Sequence, residues 1–407
     1  MRRSVLIISA VLFSFSLAVS GQNARKYIKA GEEFMRNGMY EDAIDQFSKA
    51  VDEAPTSEEC YIMRAKAYES TENFGLACDD YRRAVNFVPG DASALYHLGR
   101  MCNKLALSET VSAEEKSRFF TEAISVLNRA IKAEYRNGKL YTEKVVSLIG
   151  MELWDKALGA SDTALQMRDD ALNYYYQGII YQKINDDITA RRQLEKSVTK
   201  DKYLSVARLE LARLLTRLGD VNSAMGQCNM VIQQDAKNVD AYLTRASVYE
   251  AKLDYPSAIN DISTAILLEP ARNTHYINRG IYYQKFNQHL GAINDFSKAL
   301  TQDPSQSGVY ILRAKSYEEI NDYEKAAADY GKIVAMSETG SQAKKLQAEA
   351  NDRLFIINRE NVSPDIYIET PTIVSGREIE VGLDRKSVLV SGKITDKSLL
   401  SEFTING

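Results

Sequence analysis

Two consecutive stretches of 34 residues constrain this chain more than anything else in it. VDAYLTRASVYEAKLDYPSAINDISTAILLEPAR begins at Val239, and NTHYINRGIYYQKFNQHLGAINDFSKALTQDPSQ begins at Asn273. They superimpose without a gap. Tyr242 falls over Tyr276, Arg245 over Arg279 and Tyr249 over Tyr283. Ala258-Ile259-Asn260-Asp261 falls over Ala292-Ile293-Asn294-Asp295, Ala265 over Ala299 and Pro270 over Pro304. A fixed period of this length means a stack of like supersecondary units, each burying its apolar face against its neighbours.

Extending the register gives nine units, beginning at 24, 58, 92, 138, 171, 205, 239, 273 and 307 and ending at 340. In each, apolar residues recur at helical spacing in two blocks separated by a short polar turn, the pattern of a helical hairpin. Gly38, Gly219, Asn73-Phe74, Asp254-Tyr255 and Asn321-Asp322 mark turns, and Pro256 sits just inside a second helix, where its missing N–H costs nothing. The first unit places Tyr27, Gly31, Phe34, Ala43, Phe47, Ala50 and Pro55 at positions 4, 8, 11, 20, 24, 27 and 32; the second places Tyr61, Ala65, Tyr68, Ala77, Tyr81, Ala84 and Pro89 there. This pattern resembles the tetratricopeptide repeat family over about three quarters of the chain. The resemblance implies an all-α fold, a right-handed α-solenoid of about nine helical hairpins. Small residues at 8 and 20 let paired helices approach, and aromatics fill the gap to the next hairpin.

Several places depart from the pattern. The third unit opens with Leu95, Leu98 and Gly99, then carries an insertion around Ser108–Ser112 before resuming at Ala123. Ser112 and Glu115 read as a capping box on a lengthened second helix. Tyr135, Asp169, Lys202 and Ala236 replace the terminal proline of units three to six, and Val145 stands where a small residue is expected. Looser or re-angled junctions are expected there. A capping helix is expected over 341–360, with Ala343, Leu346, Ala350, Leu354 and Ile357 on its apolar face. From Pro364 to Gly407 the β-branched runs IYIET, EIEV, SVLVSGKIT and EFTI predict a small β module of three or four strands. It resembles part of an immunoglobulin-like module, whose full sandwich needs about 100 residues. Such a tail could be an incomplete sheet awaiting a partner strand, part of a longer chain, or a small self-contained hairpin.

The start of the chain reads as a cleaved signal peptide over 1–20. Arg2 and Arg3 precede a short apolar core, and Ala18-Val19-Ser20 supplies small residues for cleavage after Ser20. Export to the periplasm follows, with secretion or outer-membrane association as alternatives. The export signal and the Tyr-rich repeats resemble envelope proteins of Bacteroidota. Four cysteines in an exported chain invite disulfides. Cys60 and Cys78 lie at different heights of one hairpin and Cys102 and Cys228 at packing positions, so four buried thiols are expected. With 51 basic and 55 acidic side chains, the chain lacks the basic surface that general nucleic-acid binding requires.

No catalytic constellation emerges. His97, His275 and His289 stand apart from metal-ligand spacing, and there is neither a phosphate-cradling glycine loop nor a serine elbow. No metal and no cofactor is expected, and the chain is read as not an enzyme. The resemblance instead implies a concave groove lined by the first helix of each hairpin. It carries position 5 onto Ile28, Ile62, Tyr96, Tyr175, Leu209, Leu243, Ile277 and Ile311, and position 9 onto Lys66, Arg100 and Arg213. An apolar ladder edged by cations would suit an extended or helical peptide with acidic character. The chaperone-tail clamp of some relatives uses Lys and Asn at positions 5 and 9; here those positions hold hydrophobes, with basic residues only at 9. The expectation is a scaffold or adaptor in the cell envelope, holding other proteins in its groove and by a strand edge, with no nucleic acid and only peripheral membrane association. Its rival is the regulatory part of a larger exported hydrolase of caspase-like type, with a catalytic domain beyond Gly407.

Overall fold

The computed structural model describes residues 22–135, 137–336, 340–361, 365–370 and 391–395. The expected signal peptide and most of the tail therefore lie outside the described residues. Among those described, nineteen helices follow one another as nine hairpins and a final helix. The first three hairpins are α1 (22–36) with α2 (Tyr40–Glu53), α3 (Glu58–Ser70) with α4 (Phe74–Phe87), and α5 (Ala92–Ala106) with α6 (Ala113–Lys132). The next three are α7 (Leu140–Gly150) with α8 (Trp154–Met167), α9 (Ala171–Lys183) with α10 (Asp187–Lys200), and α11 (Ser205–Arg217) with α12 (Val221–Gln234). The last three are α13 (Val239–Ala251) with α14 (Tyr255–Leu268), α15 (Asn273–Lys285) with α16 (His289–Gln302), and α17 (Ser307–Glu319) with α18 (Tyr323–Ala335). Helix α19 (Ser341–Asn361) closes the series. Two compact units divide the chain between Leu211 and Ala212.

The turn within a hairpin recurs with the period. Gly38, Glu72, Glu152, Asn185, Gly219, Leu253, Asn287 and Asn321 all have positive φ at the fifteenth place of their repeats. Each ends its first helix with a left-handed residue, and the next N–H reaches back into the last turn, as Asn73 does to the Tyr68 carbonyl at 2.9 Å. Glycine is therefore optional here. The backbone geometry is kept and the residue type varies.

Close packing inside a hairpin rests on positions 8 and 24. A Cβ added to Gly31 would lie 2.5 Å from the Phe47 ring, and one added to Gly280 would lie 2.6 Å from that of Phe296. In the fourth hairpin the two places are held by Val145 and Ser161, both buried. The large residue has moved to the first helix and the small one to the second. Val145 is thus a volume exchange that keeps the junction filled.

The inserted hairpin is longer, as its sequence suggests. Helix α6 runs 20 residues, and Ser112 and Glu115 form its capping box. At the other end, α19 packs on α18 and α17, burying Ala350 and Ile357.

The tail corrects one expectation. Its described residues do not form a β module of three or four strands. They contribute only the short strands β1 (Asp365–Thr370) and β2 (Ser391–Thr395), paired antiparallel with Ile366 opposite Ile394. The ribbon is interrupted by an irregularity between Ile368 and Thr370. Two strands without a third or a helix to cover them are marginal at best in water. β-branched runs state a local preference for extended backbone, but a sheet also needs partners for its edges. The fold is an all-α solenoid.

Candidate functional site

Within each unit the odd-numbered helices approach one another directly, α5 with α7 and α7 with α9, and likewise α15 with α17 and α17 with α19. They form the closely spaced face on which a groove would lie. The residues expected to line it do not share one environment.

In the first unit, Ile28, Tyr96 and Leu209 are buried in the core. Ile62 is half-buried against that core. Tyr175 is half-buried with its ring centroid 5.2 Å from that of Tyr176. Lys66 is exposed. Arg100 is occupied: its Nη2 donates to Glu69 Oε2 at 2.7 Å. Tyr81 donates to the other oxygen of Glu69 at 2.6 Å, and His97 Nδ1 lies 3.2 Å from it. Glu69 is held below the ordinary carboxylate range by His97, Tyr81 and Arg100, against the opposing effect of burial. One half-buried acid thus absorbs a cation that the sequence assigned to a ligand. Farther along, Asn103 Nδ2 donates to Glu143 Oε2 at 3.0 Å, and Ser147 donates to Asn103 Oδ1 at 2.6 Å. Burial raises the Glu143 carboxyl even so.

In the second unit, Ile311 is buried, while Leu243 and Ile277 are half-buried against the core at equivalent places on successive first helices. Arg213 is exposed. Lys315, near Ile311, pairs with Glu349 of α19 at 2.8 Å. The final helix therefore covers part of this face itself. Much of the apolar ladder is inter-hairpin packing. The open portion centres on Lys66 with Ile62 in one unit, and on Leu243 with Ile277 in the other.

A second constellation escaped the sequence reading although Arg245, Asp261, Ser263, Arg279, Asp295 and Ser297 all stood in the aligned lines. Arg279 donates from Nε and Nη2 to Asp295 at 2.7 and 2.8 Å, and from Nη1 to Ser263 of the preceding hairpin at 3.0 Å. Arg245 does the same with Asp261 and Asn229, Arg313 with Asp329 and Ser297, and Arg64 with Asp80 and Ser48. The guanidinium of Arg313 also lies 5.6 and 5.9 Å from the rings of Tyr310 and Tyr317. The sixteen-residue spacing between Arg and Asp was the available signal. It joins opposite helices of one hairpin, which linear motif reading does not pair. These groups are structural, tying each hairpin to the one before it.

Among the described residues no three His, Cys, Asp or Glu side chains gather as a metal site, and no helix is long and apolar enough to cross a membrane. Burial and charge partners account for the shifted ionisations described above, without a cleft that collects them.

Family models for the tetratricopeptide repeat match residues 28–92 and 307–339. The first two hairpins and the ninth are thus similar to tetratricopeptide repeats, and the hairpins between them have the same two-helix construction. Tetratricopeptide repeat protein 16 of Homo sapiens is 20% identical over 253 residues, covering 58% of this chain and 28% of its own length. The chain thus spans under a third of that relative. Among solved structures, a tetratricopeptide repeat protein from Parabacteroides merdae is similar with a TM-score of 0.45 and 18% identity, over 61% of this chain and 99% of its own. The C-terminal part of a repeat-containing protein from Cytophaga hutchinsonii gives 0.46 and 17%, over 61% and 98%.

Proposed function

We propose that this protein is a non-enzymatic scaffold that holds a peptide or protein segment on the face of its odd-numbered helices, and that it works in a bacterial cell envelope. The observation that carries the reading is the pair Leu243 and Ile277. They are large apolar residues, 34 positions apart, left half-open on consecutive first helices while their counterpart Ile311 is buried. Partly open apolar side chains in register offer anchors at the spacing that an extended or helical segment can use. Capture of partners from extracts of the native cell tests this. Leu243→Glu with Ile277→Glu should lose a partner that the wild type retains, while circular dichroism shows the helices intact. Retention of every partner by the folded double variant would sink the groove assignment. The envelope setting rests on the leader-like start and is tested separately, by N-terminal sequencing of the mature chain for cleavage after Ser20. Nothing in the geometry favours the hydrolase reading, and it is set aside.

A further inference from the structure

The Sγ atoms of Cys78 on α4 and Cys102 on α5 lie 3.8 Å apart, side by side in the core where the second hairpin meets the third. The repeat register shows how unusual this contact is. The same two places hold Ile44 and Tyr68 one hairpin earlier, and Ile259 with Tyr283 and Ile293 with Tyr317 later. Here both large residues are replaced at once, by two thiols that face each other. A third change accompanies them. Arg82 stands where Ser48, Asn229, Ser263 and Ser297 receive the arginine of the following hairpin. Its Nη2 lies 3.3 Å from Cys78 Sγ, while Glu122 and Asp79 hold the rest of the guanidinium at 2.7 to 3.1 Å.

We propose that Cys78 and Cys102 are an oxidisable pair, which closes to a disulfide that bolts the second hairpin to the third. The bond requires the sulfurs to close from 3.8 Å to about 2.05 Å. A guanidinium against the first sulfur favours its thiolate, the species that attacks. Cys78 is held below the ordinary thiol value by the hydrogen bond from Cys102, against burial and with help from Arg82. Cys102 is pushed up by the same contact and by burial, so it keeps its proton and acts second.

The oxidant is a small-molecule disulfide. Cys78 thiolate attacks one of its sulfurs, the S–S bond breaks, and one thiolate leaves carrying the electron pair. Cys102 then gives up its proton, attacks Cys78 Sγ in the mixed disulfide and releases the second thiolate. Two protein thiols lose two protons and two electrons, and one reagent disulfide becomes two thiols. Arg82 and Glu122 also line a cavity of about 990 Å³ between α4 and α6. A swing of Arg82 would expose Cys78 to it, and the exchange can also precede docking of the two hairpins during folding.

The test is to equilibrate the reduced full chain in a glutathione redox buffer, both native and refolding from denaturant, then alkylate and map peptides without reduction. The expected result is a Cys78–Cys102 cross-link with Cys60 and Cys228 alkylated, and a higher melting temperature oxidised than reduced. Cys78→Ser and Cys102→Ser should each remove the link and the thermal gain. Four alkylated thiols after both treatments would overturn the proposal, as would linkage of either cysteine to Cys60 or to glutathione alone. The mass readout needs no variant to fold, and it is read without any bound partner.

Discussion

At the scale of single residues, the Arg–Asp groups show how a charge can be buried usefully. Asp295 has a side chain only 3% exposed, yet both of its oxygens are matched by one planar fork. Such a pair adds nothing over a well-packed apolar pair, but removing one member strands a buried charge. Arg279→Ala should therefore destabilise the second unit by roughly 3–5 kcal/mol, far more than an exposed Lys or Arg truncation, as read by urea denaturation. A loss below about 1 kcal/mol would mean that water reaches Asp295 freely. The aligned lines contain Arg245 over Arg279 and Asp261 over Asp295, but identity at equal positions speaks only of the period. Pairing of Arg with Asp became visible when two antiparallel helices brought residues sixteen apart into contact.

At the scale of elements, junctions between hairpins carry their own chemistry. Glu58 opens α3, and Asp91 caps α5 by accepting from Ser93 and Ala94 at 2.7 and 3.0 Å. The two carboxyls share a site. Burial, then the hydrogen bond to Asp91, raises Glu58 to about 7, while Asp91 is lowered despite burial because Glu58 and the two amides serve its charge. The signs are opposite. The raised Glu58 contributes stability below its ordinary value of 4.5, lost as pH climbs through about 7. The lowered Asp91 contributes above its ordinary value of 3.8, lost only as pH falls through its lowered one. Between these, Glu58 dominates. Glu58→Gln keeps the donor and drops the charge, so it should raise the melting temperature at pH 8 and leave it unchanged near pH 4.5. An equal effect at both values would rule out proton sharing. Element boundaries were legible because turn chemistry and apolar period agree at each hairpin. Groove exposure was not: Leu243 and Ile311 occupy the same repeat position, but only Ile311 is buried. Position 5 names a direction, and the neighbouring hairpin decides what remains open.

At the scale of the whole molecule, an array without a closing helix would leave its last hairpin half-covered. Leu346 and Leu354 lie partly buried on that hairpin beside Ala350 and Ile357. A chain ending at Gly340 should lose on the order of 5 kcal/mol from the second unit, melt earlier and bind an apolar dye; unchanged melting would show that α19 is no cap. The tail beyond it was the least legible part, since its β-branched runs report preference but not partnership. The Arg–Asp groups, finally, are unevenly distributed. The second, seventh, eighth and ninth hairpins have them, whereas Leu98, Lys144, Gln177 and Leu211 stand at the arginine place from the third to the sixth. Each group ties one hairpin to the previous one through its arginine; in the middle hairpins other pairs do this, as Gln177 donates to Asp162 of the fourth at 2.7 Å and Asn103 to Glu143 across the third junction at 3.0 Å. Under load the seventh, eighth and ninth hairpins would behave as links of one gauge, each held to the one before it by the same guanidinium.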